Sequence, residues 1–399
     1  MDPNPQDAHP LGRRPNIERF KKRAKDLLKK FKAGTLKTED PFSTFAARKL
    51  AKKPNLATAQ FVIAKAHGFA SWPKFTKHID DLPVSTFEKA ADAIVSGDAN
   101  TVERLLRKEP RLVRARSARE HRATLLHYVS ANGVEGFRQK TPPNIVAITR
   151  LLLDAGADVD AECSAYGLHD TTLMLVATSV HPEVAGVQNE LLDFLLQRGA
   201  RMRAGDVRAC FANGRGAAGR FLAERGAPLT FEEAAGVGRL DEIRKMKPTN
   251  EEAARGFFWA CQFGRNDVVE HLLGRGVPID AQDNSGQTAL HHAAIGGQMS
   301  TIKLLLQRKA PLEIRNQYDG TVLGQCIWSA AHGGDPDVYL PIIETLIAAG
   351  AKIRERHPPI NRRVDALLER YGSDADPTLT WFDERPLSEQ TRRDGRAKS

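Results

Sequence analysis

Aromatic side chains are scarce in this sequence. Phe, Trp and Tyr together make up 7% of the residues, so a core has to come from aliphatic and small side chains. Cysteine is scarcer still. Cys163, Cys210, Cys261 and Cys326 are dispersed without a CxxC pair, which excludes a disulfide framework and a cysteine zinc site and points to a reducing compartment, the cytoplasm. No stretch approaches the roughly 18 uninterrupted apolar residues of a membrane span. The opening "MDPNPQDAHPLGRRPN" has no apolar core of a secretory signal, and residues 1–15 read as a disordered lead-in. A Gly-rich phosphate loop, a G-x-S-x-G elbow, an H-E-x-x-H helix and a recognisable carboxylate pair are also missing. No catalytic residue, metal ligand or cofactor is therefore indicated.

Charge is present but concentrated. Residues 1–86 hold 18 Lys and Arg against 8 Asp and Glu, and the rest of the chain holds 41 of each. The whole net charge of +10 thus lies in the first fifth.

What the chain has is repetition. Thr288 and Thr321, Leu290 and Leu323, and Ile295 and Trp328 stand 33 residues apart, and "TLLHYVSANG" (124–133) parallels "TALHHAAIGG" (288–297). A short apolar helix followed by Gly and a small residue recurs in "ITRLLLDAGADVDA", "LLDFLLQRGARM", "GRFLAERGAPL", "VVEHLLGRGVPIDA" and "IETLIAAGAKI", and with Lys309 in place of the Gly in "IKLLLQRKAPLEI". A fixed period of this size is the mark of stacked repeats. The pattern resembles the ankyrin repeat over about residues 87–355, in about eight irregular units. The resemblance implies an all-α solenoid of helix pairs. It also implies that His291 and His127, at the histidine of the family's T-P-L-H motif, bond backbone and tie one repeat to the next. A neutral imidazole suits that task because it donates one hydrogen bond and accepts one. His292, one position on, points elsewhere, by resemblance toward the concave surface, and its loss is expected to cost much less than loss of His291. Cys210, Cys261 and Cys326 fall in the small-residue slots of the first helix and read as buried filler.

The glycine closing the first helix recurs at 97, 133, 214, 238, 264 and 297. The steps 214–238 and 238–264 are shorter than the 33-residue step 264–297, so the hairpins between successive units should be lost around 227–256. Three segments are instead expanded: 130–145, 178–190 and 329–341. Either they are tolerated surface growth, which costs little, or they carry added function. Arg198, Arg225 and Arg275 precede the second-helix glycine and Arg308 the matching Lys309, as a ladder for an anion or as cations complementing helix C-termini.

By resemblance, the partner-binding concave positions are Tyr128, Asn132, Gln262, Phe263, His292, Ile295, Gln325 and Trp328. Exposed aromatics beside polar groups suit a protein interface, though the same side chains could pack against the expanded loops. In the flank, "NIERFKKRAKDLLKKFKAG" starts at a cap on Asn16. Its stripe Ile17, Phe20, Ala24, Leu27, Leu28 and Phe31 faces away from Arg19, Lys22, Lys25, Lys29 and Lys30. A second basic helix over about 42–52 follows, then helices capped by Asn55 and Ser71. The stretch matching A-Q-x-x-I-A-x-x-x-G-F-x-S-W-x-K (Ala59 to Lys74) resembles an element found ahead of ankyrin arrays in bacterial proteins. Its Phe61, Ile63, Phe69, Trp72 and Phe75 are expected to form a mini-core closing the array. The domains are thus residues 16–86, a basic helical cap; 87–355, the array; 356–372, a closing helix; and 373–399, a flexible tail pinned by Trp381 and Phe382. The leading expectation is a cytoplasmic, non-enzymatic scaffold binding a protein partner. The alternative is nucleic-acid or polyanion contact through residues 16–86.

Overall fold

The computed structural model describes residues 8–9, 11, 15, 17–38, 40–81, 86–167, 169–332 and 334–379. Asn16, Trp381, Phe382 and most of the lead-in and tail lie outside the described residues. The chain divides into two compact units, residues 1–227 and 228–399.

Unit 1 begins with four helices, Ile17–Lys32, Pro41–Lys52, Leu56–Ala66 and Trp72–Asp81. Local chemistry sets their starts. The Asp40 carboxylate accepts the Ser43 amide with Pro41 in the first turn, the Asn55 side chain accepts from the Thr58 amide, and Ser71 Oγ accepts the Lys74 amide. Their apolar faces meet in one small core of Phe20, Ala24, Leu27, Phe45, Leu50, Ile63, Phe69 and Phe75, against which Phe61 and Trp72 pack partly buried. The expected disordered lead-in is corrected at one point. His9 is tied down, its amide donating to the Ala66 carbonyl at 2.7 Å and its carbonyl accepting from His67 Nδ1 at 2.8 Å.

Four helix pairs follow in unit 1: Thr86–Ser96 with Ala99–Lys108, Leu125–Ser130 with Ile145–Asp154, Thr172–Thr178 with Gln188–Gln197, and Asp206–Ala212 with Gly216–Glu224. The second pair departs from the expected α geometry, because Leu125–Ser130 is a 3-10 helix. Ser130 Oγ donates to the His127 carbonyl at 2.7 Å, and Ala131 then turns left-handed at φ 49°. That side-chain competition for backbone tightens the helix.

Unit 2 holds four more pairs: Phe231–Val237 with Leu240–Ile243, Asn250–Gln262 with Asn266–Gly274, Ala289–Ile295 with Met299–Gln307, and Val322–Ala331 with Pro336–Ala348. A closing helix, Arg362–Arg370, is capped by the Asn361 side chain. The fold is all-α. Extended pairing among the described residues is confined to short hairpin or bridge contacts at 116/124, 162–163/170–171 and 282/288 and to the parallel pair 356–357/374–375. Residues 227–256 carry none, in keeping with the shortened spacing. The tail expectation is corrected at its start, since Asp374 and Ala375 pair with Arg356 and His357, and Ser373 Oγ meets His357 Nδ1 at 3.0 Å.

Glycine closes first and second helices alike by turning left-handed, a conformation that penalises a Cβ. Gly199, Gly226, Gly276 and Gly350 all have positive φ, and Lys309, at the equivalent place, is held at φ 60° without that freedom.

Candidate functional site

Three first helices of unit 2 carry most of the side chains expected to bind. Each starts at a threonine cap: Thr249 with a reciprocal box to Glu252, Thr288 with one to His291, and Thr321 accepting the Gly324 amide. His291 Nδ1 accepts the Thr288 amide at 3.2 Å, which places the ring proton on Nε2, and Nε2 donates to the Gly320 carbonyl at 3.2 Å in the next repeat. His127 makes the same box with Thr124, its Nδ1 accepting the Thr124 amide at 3.1 Å. Burial depresses both rings, His127 to about 4; at His291 the Gly320 carbonyl acts against the shift.

His292 departs from its expected exposed role. It is buried, with Nε2 at 3.0 Å from Asp283 Oδ2, Nδ1 at 3.1 Å from Gln262 Oε1, and its ring stacked on Phe258 at 5.1 Å. The side chain therefore joins two first helices and a hairpin instead of presenting a free edge. The adjacent histidines share no ligand position. Among the described residues no cluster of His, Cys, Asp or Glu has metal-site geometry.

Beside His292 the surface is aromatic. Trp259 stacks on Phe263 at 5.9 Å, and both are half-buried, as are Gln262, Ile295 and Gln325. Trp328 is 48% exposed, its ring stacked on His332 at 4.3 Å. Segment 329–341 covers it in part, through His332, and leaves about half of it open. Tyr339 from that segment turns inward, and its hydroxyl donates to the Ile295 carbonyl at 3.0 Å, while Val338 stays 40% exposed. Trp259 is an addition to the expected residues. The run "FFWACQFG" is its signal in the sequence, since one more aromatic than the core faces need must point elsewhere.

In unit 1 the expected binding positions are corrected. Tyr128 is fully buried, and Asn132 is buried with its amide donating to the Leu175 carbonyl and Thr178 Oγ1. The cause is the expansion 130–145, which folds inward and carries charge. Glu135 and Arg138, both from it, meet Arg119 from the hairpin and Glu88 from the first repeat helix. Arg138 Nη1 lies 2.7 Å from Glu88 Oε2, Arg119 Nη2 lies 3.3 Å from the same oxygen, and Arg119 Nε pairs with Glu135. All four side chains are buried. Arg119 Nη1 also donates to the His67 carbonyl at 2.8 Å and lies over Phe69, so the cluster binds the N-terminal core to the repeats. Burial pushes both carboxyls up, but the guanidiniums of Arg119 and Arg138 outweigh it and hold them below the usual range, Glu135 furthest.

The second-helix arginines form rungs with acids of the preceding repeat rather than an anion grip: Arg198 with Asp154 at 2.7 Å, Arg225 Nη2 with Asp193 at 2.8 Å, and Arg308 with Glu270 at 3.8 Å. Arg275 bonds the Met246 carbonyl. The cysteines are all buried, and burial pushes the Cys163 thiol up to about 12, so no thiolate nucleophile is on offer. Arg19, Lys22, Lys25, Lys29 and Lys30 are exposed on the first helix, whose apolar stripe is consumed by the core. No helix among the described residues is long and apolar enough to cross a membrane.

Comparison with known proteins agrees with this geometry. Residues 257–357 match the family model for ankyrin repeats, in three copies. Inversin from Danio rerio is 41% identical over 59 residues, covering 14% of this chain and 6% of inversin. SH3 and multiple ankyrin repeat domains protein 2 from Homo sapiens is 42% identical over 57 residues, 14% of this chain and 3% of that protein. Ankyrin repeat and SAM domain-containing protein 6 from Rattus norvegicus is 32% identical over 112 residues, 28% of this chain and 10% of its own length. The chain thus spans a tenth or less of the length of these relatives.

Proposed function

We propose that the ankyrin repeats of unit 2 serve a non-catalytic scaffold that binds a protein partner through the surface formed by Phe263, Ile295, Gln325 and Trp328, with Trp259 beside them. By the family resemblance this is the concave face, and the compartment is the cytoplasm. The supporting observation is Trp328, a large aromatic left half-exposed on a first helix. A tryptophan brings contact area with little rotamer entropy to lose, and interface hot spots are enriched in it. Gln325, three positions earlier on the same helix, adds a hydrogen-bonding group that sets orientation. The test is Trp328→Ala against a partner recovered by affinity capture. Binding should weaken by at least about 2 kcal/mol while the unfolding midpoint stays put. A large fall in stability with unchanged affinity would assign the residue to the core.

A second reading, polyanion contact, rests on the five exposed cations of the first helix. With the stripe buried in the N-terminal core, that helix keeps its cationic face and has no apolar face for lipid. Removing residues 1–86 is a poor test, because His67 and Phe69 hold Arg119. Replacing Arg19, Lys22, Lys25, Lys29 and Lys30 by Gln is the cleaner one. Nucleic-acid binding should then become much less sensitive to salt, the slope shrinking by about 0.9 for each phosphate that is no longer neutralised.

A further inference from the structure

Unit 1 contains a cleft of about 810 Å³ between its N-terminal helices and its first two hairpins. The volume lies in the range of small-molecule sites. Three carboxylates line it, and each already has a cation: Asp81 with Lys77 at 2.9 Å, Glu120 with Lys65 at 2.5 Å, and Glu88 with Arg119 and Arg138. Three lining cations have no carboxylate. Arg116 bonds only the carbonyl oxygens of Arg122 and Glu162, Arg122 bonds the Ser117 carbonyl, and Lys74 has no partner among the described residues. The wall therefore carries a surplus of positive charge. His78 also lines it. The residue is 6% exposed, and its Nε2 finds no hydrogen-bond partner among the described residues, an unusual condition for a buried ring nitrogen. Tyr166, half-exposed, and Phe87 supply aromatic surface on the same lining.

We infer that this cleft binds a small phosphate monoester, its phosphate held by Arg116, Arg122 and Lys74 and its organic part resting on Tyr166 and Phe87. Two guanidinium forks and an ammonium match a tetrahedral dianion. A protein segment fits less well, because the aromatic surface on this lining amounts to two rings. The site is separate from the unit 2 surface proposed for a protein partner.

The experiment titrates the full chain calorimetrically, at low salt, with phenyl phosphate, inorganic phosphate and sulfate. Phenyl phosphate should bind at least roughly ten-fold more tightly than inorganic phosphate, and sulfate should compete weakly. Lys74→Gln, at an exposed residue without a described partner, should weaken phenyl phosphate by about three-fold or more, and Lys74→Gln with Arg122→Gln by at least about ten-fold. Tyr166→Ser should erase the preference for the phenyl ester. No binding up to about 10 mM, equal binding of sulfate, or unchanged binding in the folded double variant would overturn the assignment.

Discussion

In residues 228–379 the repeats close over aliphatic side chains, alanines and two buried cysteines, with Glu232 and Glu233 buried at a helix start, whereas in residues 8–227 two arginines and two glutamates are buried together as one ionic cluster. The same helix-pair plan therefore tolerates two kinds of closure. Unit 2 keeps the 33-residue step at 264–297 and puts its surplus aromatics on the surface. Unit 1 breaks the spacing with an expanded loop and uses the loop's charges to gather four distant segments. A family model built on repeat regularity accordingly matches residues 257–357.

The largest effect that separates the two units should come from Glu135→Gln. Losing one member of a buried ionic cluster leaves Arg119 and Arg138 short of negative charge, at a cost of about 3–5 kcal/mol. Hydrogen exchange should show protection lost across residues 86–154 and retained in 257–348. Equal loss in both halves would mean the cluster does not belong to unit 1 alone.

Acid should sharpen the contrast. His67 and His127, both in unit 1, are held at about 4 by burial, below the ordinary value of 6.5, and neutral rings are what the fold accommodates. The unfolded chain takes up protons first, so stability falls as pH drops below 6.5 and levels off below about 4. Each histidine contributes roughly 1.4 kcal/mol per pH unit inside that window. Glu88 and Glu135, held low by the arginines, act in the same direction once pH falls below their unfolded value. Hydrogen exchange at pH steps from neutral to acid should therefore open unit 1 first. If unit 2 opened first, the buried charges would not be what limits stability.

Within unit 2, His291→Ala and His292→Ala should each cost about 1–3 kcal/mol, since each ring is buried and holds hydrogen bonds at both nitrogens. A His292 loss close to zero in chemical denaturation would return that residue to the surface. The smallest change should be a gain. Lys309→Gly relieves a left-handed residue that its sibling repeats fill with glycine. Strain of about 1–2 kcal/mol is released and offset in part by glycine's extra freedom when unfolded. A rise of about 0.5–1 kcal/mol in the denaturation free energy is expected.

The parts of this molecule legible in the sequence are those governed by local rules. The caps at Asn55 and Ser71, the burial of Cys210, Cys261 and Cys326 and the amphipathic first helix follow from spacing and residue type, while the backbone-bonding role of His127 and His291 comes from the family resemblance. Tyr128 and His292 depart from expectation because each is covered by neighbours distant in the sequence: the inward fold of 130–145 for Tyr128, and Asp283 with Gln262 for His292. The value of Glu135 and Arg138 stays hidden at the level of sequence, because a charged expanded loop looks like surface until its partners at Glu88 and Arg119 are known.

The span of the Arg119 contacts bears on the order of events during synthesis. Its partners reach back to His67, 52 positions earlier, and forward to Glu135, while Arg138 reaches back 50 positions to the Glu88 carbonyl. Repeats that contact only their neighbours consolidate one after another as they leave the ribosome. The first half of this chain cannot do so. Glu88 and Arg119 emerge before the loop that completes their charge balance, so the N-terminal helices and the first repeat have to wait for Arg138 before they lock. A nascent chain halted short of that residue should remain open to proteases over a stretch that is closed in the finished protein.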